Sequence, residues 1–384
     1  MTTRVVPKTC DPCEAMCSLE VVVHLGWVSC IVGDVHDLLS RGHICPTSAT
    51  ARHDVDPVRR MSFMLTVVTG AYGLVGANLV RALLDRGDEV RVADRRRTSS
   101  LAGLDVEHVD IDVLRPESLE KAFAGAHTVY HLAAIISIVG DPTGIVRRVN
   151  VEGPRNAARA ALACGVSRFV HCSSVHAFDL ERCGPKLSEK SPRAVAEHLP
   201  AYDRSKNEGE NAVRAAIEQG LDAVIVNPTG VIGPHDYGPS RVGELLLELR
   251  ERKIPVNLGG GFDFVDVRDL VDGMLAAEQL GRTGENYLLS GHRHSLEELA
   301  HLCSRITGVR APRLTMPLWL VSFLAPLVLR LTPRDKIPLF TPDSMHALRH
   351  SPSVCHHKAS KELGYAPRPI LETIRDTYAW FDQR

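Results

Sequence analysis

Tyr202 and Lys206 stand four residues apart, 28 residues after the serine pair Ser173 and Ser174. On a helix, side chains at i and i+4 leave one face, so both can point into one cleft. A free phenol ionises near pH ~10, and a neighbouring ammonium favours the ionised form, which makes Tyr202 a usable acid and base. With a serine hydroxyl to orient a carbonyl oxygen, such a set moves a proton while a nicotinamide moves a hydride. Ser174 is the first candidate for the hydroxyl and Ser173 the second. Taken singly, a Tyr-x-x-x-Lys is commonly a surface pair, so its meaning rests on what lies upstream.

Upstream lies the turn Thr69-Gly70-Ala71-Tyr72-Gly73-Leu74-Val75-Gly76, preceded by the apolar run MLTVVT and followed by a helical pattern ending at Gly87. A short β-branched run reads as a central parallel strand. Gly70 permits the tight turn, Gly73 lets backbone approach a pyrophosphate and Gly76 lets helix pack on strand, so residues 70 and 72–76 form a phosphate cradle. Asp94 ends the next strand, 24 residues after Gly70. There a carboxylate accepts hydrogen bonds from both adenosine ribose hydroxyls and repels a 2′-phosphate, which favours NAD. Arg95 pulls the other way, because a guanidinium pairs with the 2′-phosphate of NADP.

The elements that must position these residues alternate along the chain. Strands are expected at 64–69, 89–94, 106–111, 128–133, 168–173 and 222–227, with helices between them, among them 116–124 and 151–164. That alternation predicts an α/β, Rossmann-type, doubly wound parallel sheet. Residues 62–384 would form the nucleotide-binding domain, with a smaller C-terminal substrate lobe mainly in 230–384. A helix is expected to begin within 236–252, and a turn at Gly259-Gly260-Gly261. In 384 residues, 45 Lys+Arg meet 46 Asp+Glu, so nothing global points to nucleic acid. No apolar leader with a small-residue cleavage site opens the sequence, which predicts a cytoplasmic protein with reduced thiols.

From Met64 onward the chain resembles the extended short-chain dehydrogenases/reductases of the NAD-dependent epimerase/dehydratase group. The matching positions are Gly70, Gly73, Gly76, Asp94, Asp112-Val113, His131-Leu132-Ala133-Ala134, Asn150 in Val149-Asn150-Val151-Glu152-Gly153, Ser174, Tyr202, Lys206 and Asn227-Pro228-Thr229-Gly230. The resemblance implies that Asp112 and Val113 lie beside adenine, that Leu132, Ala133, Ala134 and Asn150 follow the cofactor, and that Pro228 and Thr229 approach the nicotinamide. It also implies that Ser174 orients substrate, Tyr202 carries the proton, and Lys206 binds the nicotinamide ribose and lowers the phenol pKa. Val175 and His176 stand where sugar dehydratases carry an Asp-Glu pair, which disfavours elimination; His176 faces substrate, packs internally or meets solvent. Phe262 stands where nucleotide-sugar members clamp a diphosphate with arginine, and a phenyl ring cannot do so.

Residues 316–331 (MPLWLVSFLAPLVLRL) are nearly all apolar, but about 15 helical residues span only ~22 Å of a ~30 Å bilayer core. The stretch is a pocket wall, a dimer face, a shallow membrane contact or an ordinary core helix. A comparable stretch occurs in 3β-hydroxysteroid dehydrogenase relatives, and the upper chain is similar to dihydroflavonol-4-reductases. The expected activity is therefore interconversion of a secondary alcohol and a ketone on a fairly apolar small molecule, by a homodimer. A nucleotide-sugar epimerase and a non-catalytic NAD-binding redox sensor are the rivals.

Residues 1–60 form a short Cys-rich N-terminal extension with two expected strands, around 19–23 and 28–32. Cys10, Cys13, Cys17 and Cys45, followed by Pro46, offer four thiolates for an iron–sulfur cluster or zinc, and the remaining alternative is a metal-free appendage. Here the segment resembles the small 4Fe-4S domain at the N-terminus of molybdopterin oxidoreductases, through those cysteines, Gly33-Asp34 and Ser40-Arg41-Gly42. Thr47 departs from that pattern, and the larger molybdopterin-binding body does not follow. Cys30 falls within the second expected strand and reads as a small apolar side chain.

Overall fold

Short β-branched runs alternating with amphipathic stretches fold as their periodicity predicts. The computed structural model describes residues 4–9, 18–24, 27–33, 64–321 and 341–384, in two units, Met1–Phe63 and Met64–Arg384. In the first unit three strands, Arg4–Thr9, Ser18–His24 and Trp27–Gly33, form an antiparallel sheet in chain order. The last two are the strands expected there, and Cys30 lies in the third. Cys10, Cys13, Cys17 and Cys45 fall outside the described residues.

The second unit is built on a parallel sheet of seven strands. In chain order they are β1 (Leu65–Thr69), β2 (Glu89–Asp94), β3 (Glu107–Asp110), β4 (Thr128–His131), β5 (Arg168–Cys172), β6 (Ala223–Pro228) and, beyond two strands of the C-terminal lobe, β9 (Asn286–Leu289). Across the sheet they run β9-β6-β5-β4-β1-β2-β3. The order reverses beside β1, so the crevice at the carboxyl ends of β1 and β4 is where a ligand belongs. Six of these strands were expected within a residue or two at most ends. The seventh, β9, was not, because four residues carry too little pattern.

Helix α1 (Leu74–Arg86) follows β1 and ends where Gly87 takes a φ of 92°, with its amide bonded to Leu83 and Leu84 carbonyls. Helix α2 (Pro116–Phe123) starts on a proline at its first turn. A turn of helix from Ile145 widens into a π-helical stretch, Arg148–Glu152, and continues as α3 (Gly153–Ala163). Helix α4 (Ala201–Ile217) carries Tyr202 and Lys206. Two apolar layers sandwich the sheet. Leu79, Val80 and Leu83 of α1 pack with Val68 and Tyr130 on one face, and Ala157, Ala161 and Val213 pack with Val129 and Phe169 on the other.

The C-terminal lobe adds a second sheet that the sequence did not reveal. In it β7 (Gly230–Ile232) pairs in parallel with β8 (Gly261–Asp266), and β8 pairs antiparallel with β10 (His292–Ser295). Around it lie α5 (Arg241–Arg250), α6 (Val267–Leu280), α7 (Leu296–Thr307), α8 (Pro342–Arg349), α9 (His357–Leu363) and α10 (Ile370–Asp382). Of the apolar stretch 316–331, only the part to Val321 is described; Val321 is buried with Leu258, Met345 and Leu348, while Trp319 is exposed. Among the described residues no helix is long and apolar enough to cross a membrane.

Candidate active site

At the carboxyl end of β1 the chain turns on Gly70, whose φ is 70°. A Cβ there would lie 2.7 Å from the Ala133 nitrogen, so this glycine lets the segment after β4 cross directly above the turn. Thr69 fastens the crossing: its Oγ1 accepts from the Leu132 and Ala133 amides at 3.2 and 3.3 Å. Its own proton then goes to His131 Nδ1, 2.9 Å away. At Gly76 a Cβ would meet the Ala71 Cα at 2.5 Å, so helix and turn touch. Gly73 differs, since a Cβ there would meet only Gly70 O, at 3.6 Å. Its bareness therefore serves the cleft it faces. Helix α1 starts just after Gly73 with no side-chain cap and no acid in its first turn, leaving its amides and positive end for an anion.

A cleft of about 900 Å³ runs from this turn into the C-terminal lobe. Along it lie Gly70, Tyr72, Gly73, Leu74, Val75, Gly76, Asp94, Arg95, Asp112, Val113, Leu132, Ala133 and Ala134, and at the far end Ser174, Tyr202, Lys206, Pro228 and Thr229. Asp94 is braced by its successors, with Oδ1 accepting from the Arg95 and Arg96 amides at 2.7 and 3.3 Å. Tyr72 stacks on His108 and shares a 2.8 Å hydrogen bond with its Nδ1. Asn150 is the exception and lies off the cleft. Its side chain exchanges hydrogen bonds with the Ile135 backbone at 2.8 and 2.9 Å and donates to Ser205 Oγ at 3.0 Å, tying the segment after β4 to α4.

Tyr202 and Lys206 leave one face of α4, and Ser174, just beyond β5, lines the same cleft. Burial pushes the Tyr202 phenol above its ordinary value, the Ser174 hydroxyl acts downward, and the Asp203 charge acts upward. Lys206 does not supply the main downward influence expected of it. Its Nζ donates instead to the Cys172 carbonyl at 3.2 Å, and burial lowers its own pKa. Behind it, His131 and His171 stack with centroids 5.6 Å apart. Burial and the nearby Lys206 charge depress both, His131 to about 3, so both rings are neutral. His176 lines the cleft, with Nδ1 3.0 Å from Asp203 Oδ1 and its ring edge-on to Tyr202.

Sequence reasoning missed what holds this end in place. Glu210, fully buried one turn beyond Lys206, accepts from Ser173 Oγ at 2.6 Å and from the Asn227 and Asn286 amides at 2.7 and 2.9 Å, and pairs with Arg193. Asn227 also donates to the Ser174 carbonyl at 2.8 Å, so Glu210 reaches the serine through one side chain. Asn227 thus serves this buried network, while Pro228 and Thr229 face the cleft. The available signal was the spacing Tyr202, Lys206, Glu210 on one helix face. On the opposite wall Phe262 and Phe264 meet edge to face, 6.0 Å apart, with Phe262 at the position that the sequence resemblance assigns to a diphosphate-clamping arginine.

A model of the NAD dependent epimerase/dehydratase family matches residues 66–290. The chain is 35% identical over 329 residues to sterol demethylase protein B of Methylococcus capsulatus, covering 84% of this chain and 99% of that one. It is 30% identical to a 3-beta-hydroxysteroid dehydrogenase of Mycolicibacterium neoaurum, over 81% of this chain and 89% of the relative. The crystal structure of gox2253 superposes with a TM-score of 0.73 at 32% identity, covering 83% of this chain and 98% of that one.

Proposed function

The chain belongs to the NAD dependent epimerase/dehydratase family, as an enzyme of the extended short-chain dehydrogenase/reductase type, and on that premise we propose that it interconverts a secondary alcohol and a ketone on a largely apolar substrate, steroid- or flavonol-like, with NAD. One observation carries the reading: the Ser174 and Tyr202 hydroxyls share a cleft whose substrate end is walled by Phe262 and Phe264 in place of a diphosphate-binding cation. The family's relatives named for sterol substrates support the same class.

The residues fit the cofactor, because Gly73 is bare toward the cleft and the uncapped start of α1 offers free amides to a pyrophosphate. Gly70, Gly73 and Gly76 would hold the phosphates, Asp94 the adenosine ribose, and Lys206 the second ribose. When bound, the nicotinamide supplies or takes the hydride. Ser174 donates to the carbonyl oxygen and fixes its direction, and Tyr202 gives that oxygen its proton in reduction or removes it in oxidation. A phenol kept neutral by burial is ready for the reductive direction near neutral pH.

The test is Tyr202→Phe against a panel of sterol, flavonoid and nucleotide-sugar substrates. Turnover should fall about 10²–10⁴-fold with cofactor affinity nearly unchanged, since the ring stays and only proton transfer is lost. Activity confined to nucleotide sugars without release of free NADH would move the assignment to an epimerase. The four cysteines outside the described residues carry a separate proposal, a 4Fe-4S cluster: protein purified without oxygen should be brown, with iron and sulfide near about four each per chain. Colourless protein without iron removes it.

A further inference from the structure

Three side chains that the proton transfer does not use converge at one edge of the same cleft. His346 lies on α8 and His350 directly follows it, so the two imidazoles leave one face four residues apart, with ring centroids 4.7 Å apart. Glu181 arrives from the opposite wall, in the segment that follows the short turn Val175–Ala177. Its Oε1 is 3.4 Å from His346 Nδ1 and 3.9 Å from His350 Nδ1. One ligand atom from each of the three lies within 4.8 Å of the others.

Zinc–nitrogen bonds of about 2.05 Å arranged tetrahedrally place neighbouring donor atoms ~3.3 Å apart. The two edges to Glu181, 3.4 and 3.9 Å, are close to that spacing, and the third, within 4.8 Å, closes by no more than about 1.5 Å to enclose a cation. The hydrogen bonding points the same way. His350 Nδ1, the atom that faces Glu181, is buried and has no hydrogen-bond partner. A buried polar atom in that condition costs free energy, and a cation would satisfy it. The carboxylate's second oxygen is already steadied by His198 Nε2 at 3.2 Å, the outer contact that orients a ligating group.

We propose that Glu181, His346 and His350 form a divalent transition-metal site, taking zinc by its ligand chemistry, that bolts α8 to the opposite wall of the substrate cleft. Two imidazoles and a carboxylate suit zinc, with water completing the set. Leu180, next to Glu181, lines the cleft together with His346 and His350. The bolt therefore sets the width of the mouth near His176 and Asp203. It acts through the pocket's shape and takes no part in the hydride step. It stands independently of the substrate assignment, because binding is read without turnover.

The experiment uses full-length, tag-free protein stripped with chelator and titrated with zinc chloride by calorimetry. Cobalt(II) serves as the spectroscopic probe. Wild type should bind one equivalent more than His346→Gln/His350→Gln, and that cobalt equivalent should show visible d–d bands without a thiolate charge-transfer band, separating it from the N-terminal cysteines. Glu181→Gln, a change at a partly exposed side chain, should weaken that equivalent at least tenfold and serves if the double variant folds poorly. Equal stoichiometry and affinity in wild type and Glu181→Gln, or cobalt spectra arising from thiolate alone, would overturn the site.

Discussion

Glu210 offers the sharpest test of how the active-site end is held. Its carboxylate is fully buried, with Ser173, Asn227, Asn286 and Arg193 converging on it. Glu210→Ala removes one partner of a buried ion pair, which costs about 3–5 kcal/mol, and strands further donors at about 1–3 kcal/mol each. These do not add. Arg193 is partly exposed and regains water, and Asn227 keeps the Ser174 carbonyl, so the expected loss is about 3–5 kcal/mol in all. Glu210→Gln discriminates better. It preserves volume and one acceptor, yet turns an amide toward Arg193 and the Asn286 amide, donor against donor. A loss of about 2–4 kcal/mol is expected, together with a fall in kcat as the Ser174 backbone loosens. Urea unfolding followed by circular dichroism gives the stability change from the midpoint shift at constant slope. A Glu210→Gln protein within about 0.5 kcal/mol of wild type would mean that the site is filled for its volume alone, and the hub argument fails.

Asp94→Ala should shift cofactor preference toward NADP by about tenfold, as Arg95 and Arg96 are freed to meet the extra phosphate; a wild-type preference for NADP would show the arginines already prevail. Burial holds the Tyr202 phenol neutral, so ketone reduction should stay level through neutral pH. Alcohol oxidation, which needs the ionised phenol, should climb into the alkaline range, and a pH-independent oxidation rate would contradict this. Burial raises the Asp263 carboxyl to about 6, from 3.8. The native state then binds a proton that the unfolded chain has lost, so stability falls as pH rises from about 3.8 to 6, by about 3 kcal/mol. Asp263→Asn should abolish that decline and outlast wild type in urea at pH 7 but not below pH 4; an equal difference at both values would refute the assignment.

The nucleotide-binding half was legible because its signals are local. A β-branched run, three glycines and a carboxylate at the end of β2 each act within a few residues of where they stand. The lobe was not, because β7, β8 and β10 meet only through pairings such as Gly230 with Phe264 and Gly261 with Ser295, which no neighbouring pattern announces. Helix α4 hid its packing for another reason. Asp203, Asn207 and Glu210 are polar, yet all are buried, because their partners come from the loops before the helix and from β6 and β9 after it. Asn150 was placed on the cofactor by resemblance, whereas its side chain is spent on Ile135 and Ser205. The His346, His350 spacing was visible throughout, but Glu181 lies too far away in sequence to suggest a cluster.

The wide turn at Arg148–Glu152 has a mechanical meaning for the helix it interrupts. An extra residue in a continuous helix rotates the turns before it by ~100° against the turns after it, without breaking the axis. Within the wide turn, Asn150 looks toward α4, where Gly209 approaches so closely that a Cβ would lie 2.3 Å from the Asn150 carbonyl. After it, Gly153 faces Val113, and Ala157 and Ala161 face the sheet. One rod is thereby keyed in two directions, like a shaft with offset flats. The wall expected to carry adenine and the helix that carries Tyr202 are indexed to each other through it, so the separation of the two ends of the cleft is cut into a single helix.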